Sequence, residues 1–187
     1  LYKVRREEGK FAIEGEAPRQ TPFVVFGIRG CDVKALAVLD KVFLSDPVDS
    51  YYAARRQMGT IVSMACGRPE TSCFCKVFGV DCAEPAGDVV TWLVGDTLYW
   101  EAKTQKGEQL TEKLSSLLEK ADDAAVETEK TAIHAIVEKL PYSKLSLEKW
   151  GAAAADANFD SPIWEEMFKP CLACGTCTFV CPTCQCY

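Results

Sequence analysis

The stretch Pro22-Phe23-Val24-Val25-Phe26-Gly27-Ile28 is a short and nearly continuous apolar run. A run of this length is typical of a strand that is buried on both faces. Arg29-Gly30 follows, where we predict a turn, and helical periodicity then extends from Val33 to Leu44. Asp32 lies where the N-cap or first-turn acid of that helix is expected. The sequence therefore predicts a buried strand that leads into a helix.

The segments that come next repeat this order. A helix is predicted over about Ser50 to Gln57, and a second strand runs from Thr60 to Ala65 and ends at Cys66. Strand, helix and strand in succession favour two neighbouring parallel strands in an α/β layer. Further along, segments 88–94 and 97–100 flank Gly95-Asp96, which predicts a β-hairpin.

Composition and charge exclude several classes of protein. The chain has 187 residues, of which 48% are hydrophobic and 26% are charged, as in an ordinary globular protein. Its 27 acidic against 21 basic residues give a net charge of −6, which argues against a nucleic-acid binder. No apolar run approaches the roughly 18 residues that a transmembrane helix needs.

Cysteine is over-represented, with 11 residues, and its spacing indicates a metal site. Six lie within the last 17 positions: Cys171, Cys174, Cys177, Cys181, Cys184 and Cys186. The spacing C-x-x-C-x-x-C-x-x-x-C-P is that of bacterial ferredoxins, in which thiolates two residues apart wrap around one corner of a 4Fe–4S cluster. Gly175 lets the backbone turn close to the sulfurs. We expect the first three cysteines to be ligands and leave the fourth open between Cys181, Cys184, Cys186 and a residue outside the chain.

Five further cysteines fall in the predicted α/β region: Cys31, Cys66, Cys73, Cys75 and Cys82. Cys31 and Cys66 follow neighbouring parallel strands, and the carboxyl ends of such strands meet at the edge where open α/β sheets bind ligands. Cys73 and Cys75 lie in the loop that comes next. We predict that Cys31, Cys66, Cys73 and Cys75 can hold a second cluster, with Cys82 as a spare candidate. Alternatively, some of these residues are buried apolar thiols.

These patterns together predict three regions. The fold class is an α/β N-terminal domain followed by helices and an α-helical ferredoxin-like 4Fe–4S module. Residues 1–102 form the α/β domain with its cysteine-rich loop, and residues 103–160 form a helical connecting segment. Helices are expected there at about 110–120 and 124–140, followed by a looser stretch from 143 to 160. Residues 161–187 form the iron–sulfur module, which opens with a short helix from Ile163 to Phe168.

The chain resembles one known family in the segments Gly27-Ile-Arg-Gly-Cys31-Asp32 and Thr71-Ser72-Cys73-Phe74-Cys75 and in the run from Cys171 to Cys186. It is similar to the iron–sulfur family that comprises the beta subunit of cytosolic sulfhydrogenases and the iron–sulfur subunit of anaerobic sulfite reductase. The resemblance implies a non-catalytic subunit that relays single electrons. Its partners would be a catalytic reductase or hydrogenase subunit together with a flavin- or nicotinamide-binding subunit. Cys82 lies where no family cysteine is expected.

Two other interpretations stay open at this stage. Cys-x-x-Cys pairs also suit tetrahedral zinc, so a zinc-stabilised interaction module without a redox role is the main alternative. A thiol-redox protein that uses Cys73-Phe-Cys75 or Cys184-Gln-Cys186 is the other. The absence of a secretory signal in the given sequence indicates a reducing, cytoplasmic setting rather than a disulfide framework. Because the chain starts at Leu1 and stops at Tyr187, directly after a cysteine, we expect it to be a fragment.

Overall fold

A computed structural model of the chain describes residues 2–7, 9–148 and 152–184. It opens with a two-stranded antiparallel hairpin, in which β1 (Tyr2–Glu7) pairs with β2 (Lys10–Gly15). The sequence analysis did not predict this hairpin. Its apolar residues, among them Phe11 and Ile13, are exposed.

The main sheet has four strands in the order β3-β4-β5-β6. Their bounds are β3 Phe23–Arg29, β4 Gly59–Met64, β5 Val89–Val94 and β6 Thr97–Ala102. The first three strands are parallel, and β6 is antiparallel to β5 across the turn at Gly95, whose φ of 60° suits glycine. The predicted parallel pair and the predicted hairpin are both confirmed.

Seven α-helices lie within the described residues. Their bounds are α1 Gly30–Phe43, α2 Ser50–Met58, α3 Gln105–Lys113, α4 Ala124–Val137, α5 Ala152–Phe159, α6 Ile163–Phe168 and α7 Thr176–Val180. The first two form the crossover from β3 to β4, as predicted. Helices α1, α3 and α4 pack against this sheet. The side chain of Asp49 caps α2 by accepting the backbone N–H groups of Tyr51 and Tyr52 at 2.9 and 2.8 Å.

Two helix predictions need correction. The helix expected at about 110–120 begins five residues earlier, because the Thr104 hydroxyl caps it by accepting the N–H of Gly107. It also ends at Lys113 and gives way to a short 3-10 helix, Ser115–Leu117. The stretch from 143 to 160, expected to be loose, contains α5. The helix expected at 124–140 is α4 and ends three residues early, at Val137.

The buried core lies between β5 and α4. Val90 and Trp92 of β5 are 1% exposed and pack with Ile133 and Val137 of α4. Full burial of one such aliphatic side chain is worth about 1.5–3 kcal/mol. The loop of residues 66–88, called the thiol loop below, closes this cluster with Cys82 and Ala83. The α/β prediction is therefore confirmed as a mixed sheet with several helices, whereas the ferredoxin-like module stays a prediction. Within the described residues, no helix has the length and apolar character that a membrane crossing requires.

Candidate metal centres

The thiol loop starts where β4 ends and lies against the beginning of α1. The Arg29 guanidinium donates a hydrogen bond to the Ala65 carbonyl at 2.7 Å, which ties the end of β3 to the end of β4. Gly30 comes so near to the loop that a Cβ there would lie 2.9 Å from Val80 Cγ1 and 3.0 Å from Pro85 Cβ. Cys31, the second residue of α1, is therefore placed beside the loop that carries the other four N-terminal cysteines.

Cys75 interacts with each of the other four N-terminal cysteines. It opens a short 3-10 helix, Cys75–Phe78, which ends at Gly79 with a left-handed φ of 66°. Burial raises the pKa of the Cys75 thiol, a hydrogen bond from Cys82 opposes this, and the charges of Cys73 and Cys66 raise the pKa further. Burial also raises the pKa of Cys31, with contributions from Asp32 and then Cys75. Cys31, Cys66 and Cys73 thus each interact electrostatically with Cys75.

Cys82 is the thiol that the sequence analysis left without a role. It is 5% exposed, whereas Cys66, Cys73 and Cys75 are half-buried and Cys31 is exposed. Its carbonyl accepts the N–H of Cys66 at 2.8 Å. Burial and the neighbouring Cys75 thiol raise the pKa of Cys82 to about 12. The sequence feature that could have singled out Cys82 is its position nine residues after Cys73, in the same loop.

Helix α4 holds the thiol loop from outside through three polar pairs. Lys130 contacts Glu84 at 3.0 Å, His134 Nε2 lies 3.0 Å from Asp81 Oδ1, and Glu138 pairs with Lys76. Lys130 and His134 of α4 and Glu138, the residue that caps its C-terminus, are spaced four apart and therefore form one stripe along the helix. The side chains of His134 and Asp81 are both exposed, so this pair is in contact with solvent.

These pairs also set the ionisation of the loop carboxylates. Hydrogen bonds from Lys103 and Lys130 hold the pKa of Glu84 below its ordinary value. Burial alone would raise the pKa of Asp81, but the N–H of Ala83 and the His134 imidazole bring it below its ordinary value. Both carboxylates are therefore charged at neutral pH, and Lys130 attracts that of Glu84.

The C-terminal cysteines lie on an open loop around α7. Cys171, Cys174 and Cys177 are exposed, and Cys181 and Cys184 are half-buried. The backbone turns through left-handed conformations at Ala173, with a φ of 53°, and at Gly175, with a φ of 74°. Such turns let N–H groups face sulfur, and the N–H of Ala173 lies 3.4 Å from Cys171 Sγ. Cys186 lies outside the described residues.

Two threonine hydroxyls accompany the C-terminal thiols. Thr176 Oγ1 lies 3.2 Å from Cys174 Sγ, and Thr183 Oγ1 lies 3.2 Å from Cys181 Sγ. These hydroxyls lower the pKa of Cys174 and bring that of Cys181 to about 7. A lower pKa favours the thiolate, which is the form that binds metal. The sequence analysis did not single out these threonines.

The donor chemistry of both groups fits an iron–sulfur cluster. The predicted ligands are all thiols, and N–H or O–H groups lie close to three of their sulfurs. Each thiolate of a 4Fe–4S cluster binds its own iron, whereas the four ligands of zinc converge on one ion. Among residues 2–7, 9–148 and 152–184, no three His, Cys, Asp or Glu side chains converge closely enough to hold a single metal ion. The ligand assignments stay predictions.

Comparison with known proteins gives one relative. The chain is 33% identical over 188 aligned positions to the sulfhydrogenase 2 subunit beta of Pyrococcus furiosus, and the alignment covers all of this chain and 54% of that protein. The chain thus spans about half the length of the relative that it matches. No protein-family model and no solved structure matches it. The similarity extends over the whole chain, agrees with the family indicated by its cysteine motifs, and supports an assignment to the sulfhydrogenase beta subunits at the family level.

Proposed function

We propose that the chain is an iron–sulfur electron-transfer subunit of an oxidoreductase complex. The observation that carries the proposal is the loop from Cys171 to Cys184, in which ferredoxin spacing combines with left-handed turns and with donors directed at sulfur. The similarity to the sulfhydrogenase 2 subunit beta supports it, because that relative is by name a subunit of a hydrogenase-type enzyme.

The C-terminal loop would hold a 4Fe–4S cluster through Cys171, Cys174, Cys177 and one further thiol. When bound, such a cluster accepts and releases one electron at a time. The chain itself supplies the thiolates, and Thr176 and Thr183 donate hydrogen bonds that stabilise negative charge on sulfur. These side chains set the position and the potential of the centre, and none of them acts on a substrate.

The thiol loop would hold a second cluster through Cys31, Cys66, Cys73 and Cys75. This proposal rests on the common neighbourhood of these cysteines around Cys75, at the carboxyl ends of parallel strands. Helix α4 and the buried core exclude water from one side of the loop. Lower exposure to water is one of the factors that set the potential of a cluster.

The proposed partners follow from this role. A relay has to receive electrons from one redox centre and deliver them to another, so we assign it a flavin- or nicotinamide-binding subunit on one side. On the other side we assign a catalytic subunit, which is a hydrogenase, a sulfite reductase or a related reductase. Exposed apolar side chains beside the C-terminal cysteines, Leu172 at 90% and Phe179 at 91%, offer a contact area for such a neighbour.

The test is the content of iron, acid-labile sulfide and zinc in anoxically purified protein, together with an EPR spectrum after reduction by dithionite. About four iron atoms per chain indicate one cluster, and about eight indicate two. Cys177→Ser should remove one set of iron and its signal, and Cys66→Ser should remove the other. Leu172→Ala, in the same C-terminal loop, is the matched control and should leave the iron content and the EPR signals unchanged.

Two results would contradict the proposal. Zinc without sulfide, and no EPR signal, would make the chain a zinc-stabilised interaction module. A metal-free protein that stays folded and exchanges disulfides would make it a thiol-redox protein.

A further inference from the structure

The N-terminal hairpin has an apolar face that the rest of the described chain leaves open. Side chains alternate between the two faces of a strand, and the register of β1 with β2 puts Val4 opposite Ile13 and Arg6 opposite Phe11. Tyr2, two positions before Val4, lies on the same side. We call these five residues the hairpin face. Its four apolar side chains are 55–73% exposed.

The opposite face of the hairpin is charged, and its charges are paired. Lys3 contacts Glu16 at 3.0 Å, and Arg5 lies 3.8 Å from Glu14. Arg6, in contrast, makes no ion pair with any of the described residues. The hairpin face therefore combines an apolar surface with one cation that has no counter-ion in the described part of the chain.

Such a hairpin needs a cover on its apolar side. A two-stranded hairpin alone is marginally stable in water and gains stability when further strands or a helix pack on it. A fully exposed aromatic side chain presents about 150–250 Å² and an aliphatic one less, so the hairpin face leaves on the order of 500 Å² of apolar surface open. A patch of that size is among the largest that soluble monomers expose and is typical of a contact site.

We propose that the hairpin face binds the same face of a second copy of this chain, so that two hairpins form a four-stranded β-sandwich about a two-fold axis. Facing sheets pack about 10 Å apart, with their apolar side chains between them. The two-fold axis allows two stackings, with the turns of the hairpins at the same end or at opposite ends. In both stackings, Val4 and Ile13 of the two copies meet at the centre.

Arg6 favours a second copy as the occupant, because either stacking places its guanidinium opposite an aromatic ring. With the turns at opposite ends, β1 lies over β1, and Arg6 faces Tyr2 of the other copy. With the turns at the same end, β1 lies over β2, and Arg6 faces Phe11 of the other copy. A guanidinium is attracted to the face of an aromatic ring, and the two-fold axis makes this contact twice. The hairpin face thus supplies both the cation and the ring that the cation needs.

The area of the hairpin face also agrees with this occupant. Two such faces together remove on the order of 1,000 Å² from water, which is the lower size limit of a specific protein–protein interface. An interface of this size forms a weak and reversible complex, so the chain should be monomeric when dilute and dimeric when concentrated. The hairpin contains no cysteine, so this contact does not depend on the metal content of the chain.

The experiment is sedimentation velocity of the full chain, purified anoxically, over a wide range of protein concentration. The mass should rise from 20.6 kDa towards twice that value as the concentration increases. Amide hydrogen exchange, followed by mass spectrometry on the same samples, locates the contact. Residues 2–15 should become protected at high concentration, whereas the main sheet should not change. This second measurement uses the wild-type chain and therefore does not depend on whether a variant hairpin still folds.

Two variants and one control test the chemistry of the contact. Ile13→Glu buries a carboxylate at its centre and should weaken the dimer by more than about a hundredfold. Arg6→Glu puts an anion against the ring and should weaken it by about tenfold. Lys10→Glu is the matched control, because it makes the same change of charge at the same end of the hairpin but on the opposite face. It should keep the dissociation constant of the wild type.

Three results would overturn the inference. A mass of 20.6 kDa at every concentration would assign the hairpin face to a different occupant. A dimer that dissociates equally in the wild type, Ile13→Glu and Arg6→Glu, or protection outside the hairpin, would place the contact elsewhere. Equal weakening in Lys10→Glu and Arg6→Glu would make the effect one of net charge. None of these results involves iron or sulfide, so they are distinguishable from a failure of the proposed function.

Discussion

Replacement of Trp92 by phenylalanine should loosen the attachment of the thiol loop to the sheet. The Trp92 indole donates to the Ala83 carbonyl at 2.6 Å, and both residues are buried, at 1% and 0% exposed. Phenylalanine has no N–H group to donate, and water cannot reach the Ala83 carbonyl, which is then unpaired. An unpaired buried carbonyl costs about 1–3 kcal/mol.

The smaller ring adds a second cost. Phenylalanine leaves about 40 Å³ of the tryptophan volume empty, which costs about 1 kcal/mol where the surroundings do not collapse. The total loss in the free energy of unfolding is therefore about 2–4 kcal/mol, a large part of the roughly 5–15 kcal/mol that stabilises a typical domain. Equilibrium urea denaturation, followed by far-UV circular dichroism, measures this loss.

Trp100→Phe is the matched control for this prediction. The Trp100 indole donates to Thr111 Oγ1 at 2.8 Å, but it is only half-buried, so water can replace it. The same chemical change should then cost about 0.5–1.5 kcal/mol. Equal losses in the two variants would refute the idea that the buried hydrogen bond of Trp92 anchors the loop.

Three further predictions concern other parts of the domain. Burial and the Asp40 carboxylate raise the pKa of Tyr52 to about 12, so in a spectrophotometric titration one tyrosine should ionise late. A tyrosine in the unfolded chain has a pKa near 10, so the stabilisation that Tyr52 contributes should be lost between about pH 10 and 12. The free energy of unfolding of Tyr52→Phe should therefore fall less over that range. Lys103 and Lys130 lower the pKa of Glu84 in the folded protein. The stabilisation that Glu84 contributes is therefore present above the pKa of the unfolded chain and is lost as acid protonates the folded carboxylate. In Glu84→Gln, the free energy of unfolding should fall less steeply as the pH is lowered. In Gly107→Ala the new Cβ would lie 2.0 Å from the carbonyl oxygen of Asp88. The free energy of unfolding, measured by urea denaturation, should fall by about 1–3 kcal/mol. Gly15→Ala is the control and should lose far less, because no atom lies within 4 Å of its new Cβ.

The sequence predicted the elements whose signals are local. The run at 22–28 became β3, but the expected burial on both faces was wrong, because β3 is an edge strand in which Val24 and Phe26 are 46% and 58% exposed. Gly95-Asp96 fixed the hairpin. The start of α3 was missed because the prediction followed apolar periodicity from Leu110, whereas the Thr104 cap sets the first turn. The N-terminal hairpin was missed although Tyr2 and Val4 alternate with charged residues, since no buried face supports the pattern.

The candidate centres were predictable to different degrees. The C-terminal thiols were visible because their spacing is itself the signal. The convergence of Cys31 with the thiol loop followed from strand order, which brings the ends of β3 and β4 together. The burial of Cys82 and its backbone contact with Cys66, 16 residues away, could not be read from the sequence, because both depend on how the thiol loop folds back. The polar stripe of α4 depends on contacts that are longer still, such as His134 with Asp81.

The stripe on α4 also has a consequence for the order of events during synthesis. Glu84 and its partner Lys130 are 46 positions apart, and Lys76 and Glu138 are 62 apart, so the thiol loop leaves the ribosome well before the helix that holds it. At about 5–20 residues per second, the 46-residue interval corresponds to about 2–9 s. During that time the nascent loop has its cysteines but not the cover that α4 provides, so its thiols are open to solvent. A chain that lacked α4 would leave the thiol loop without these three pairs.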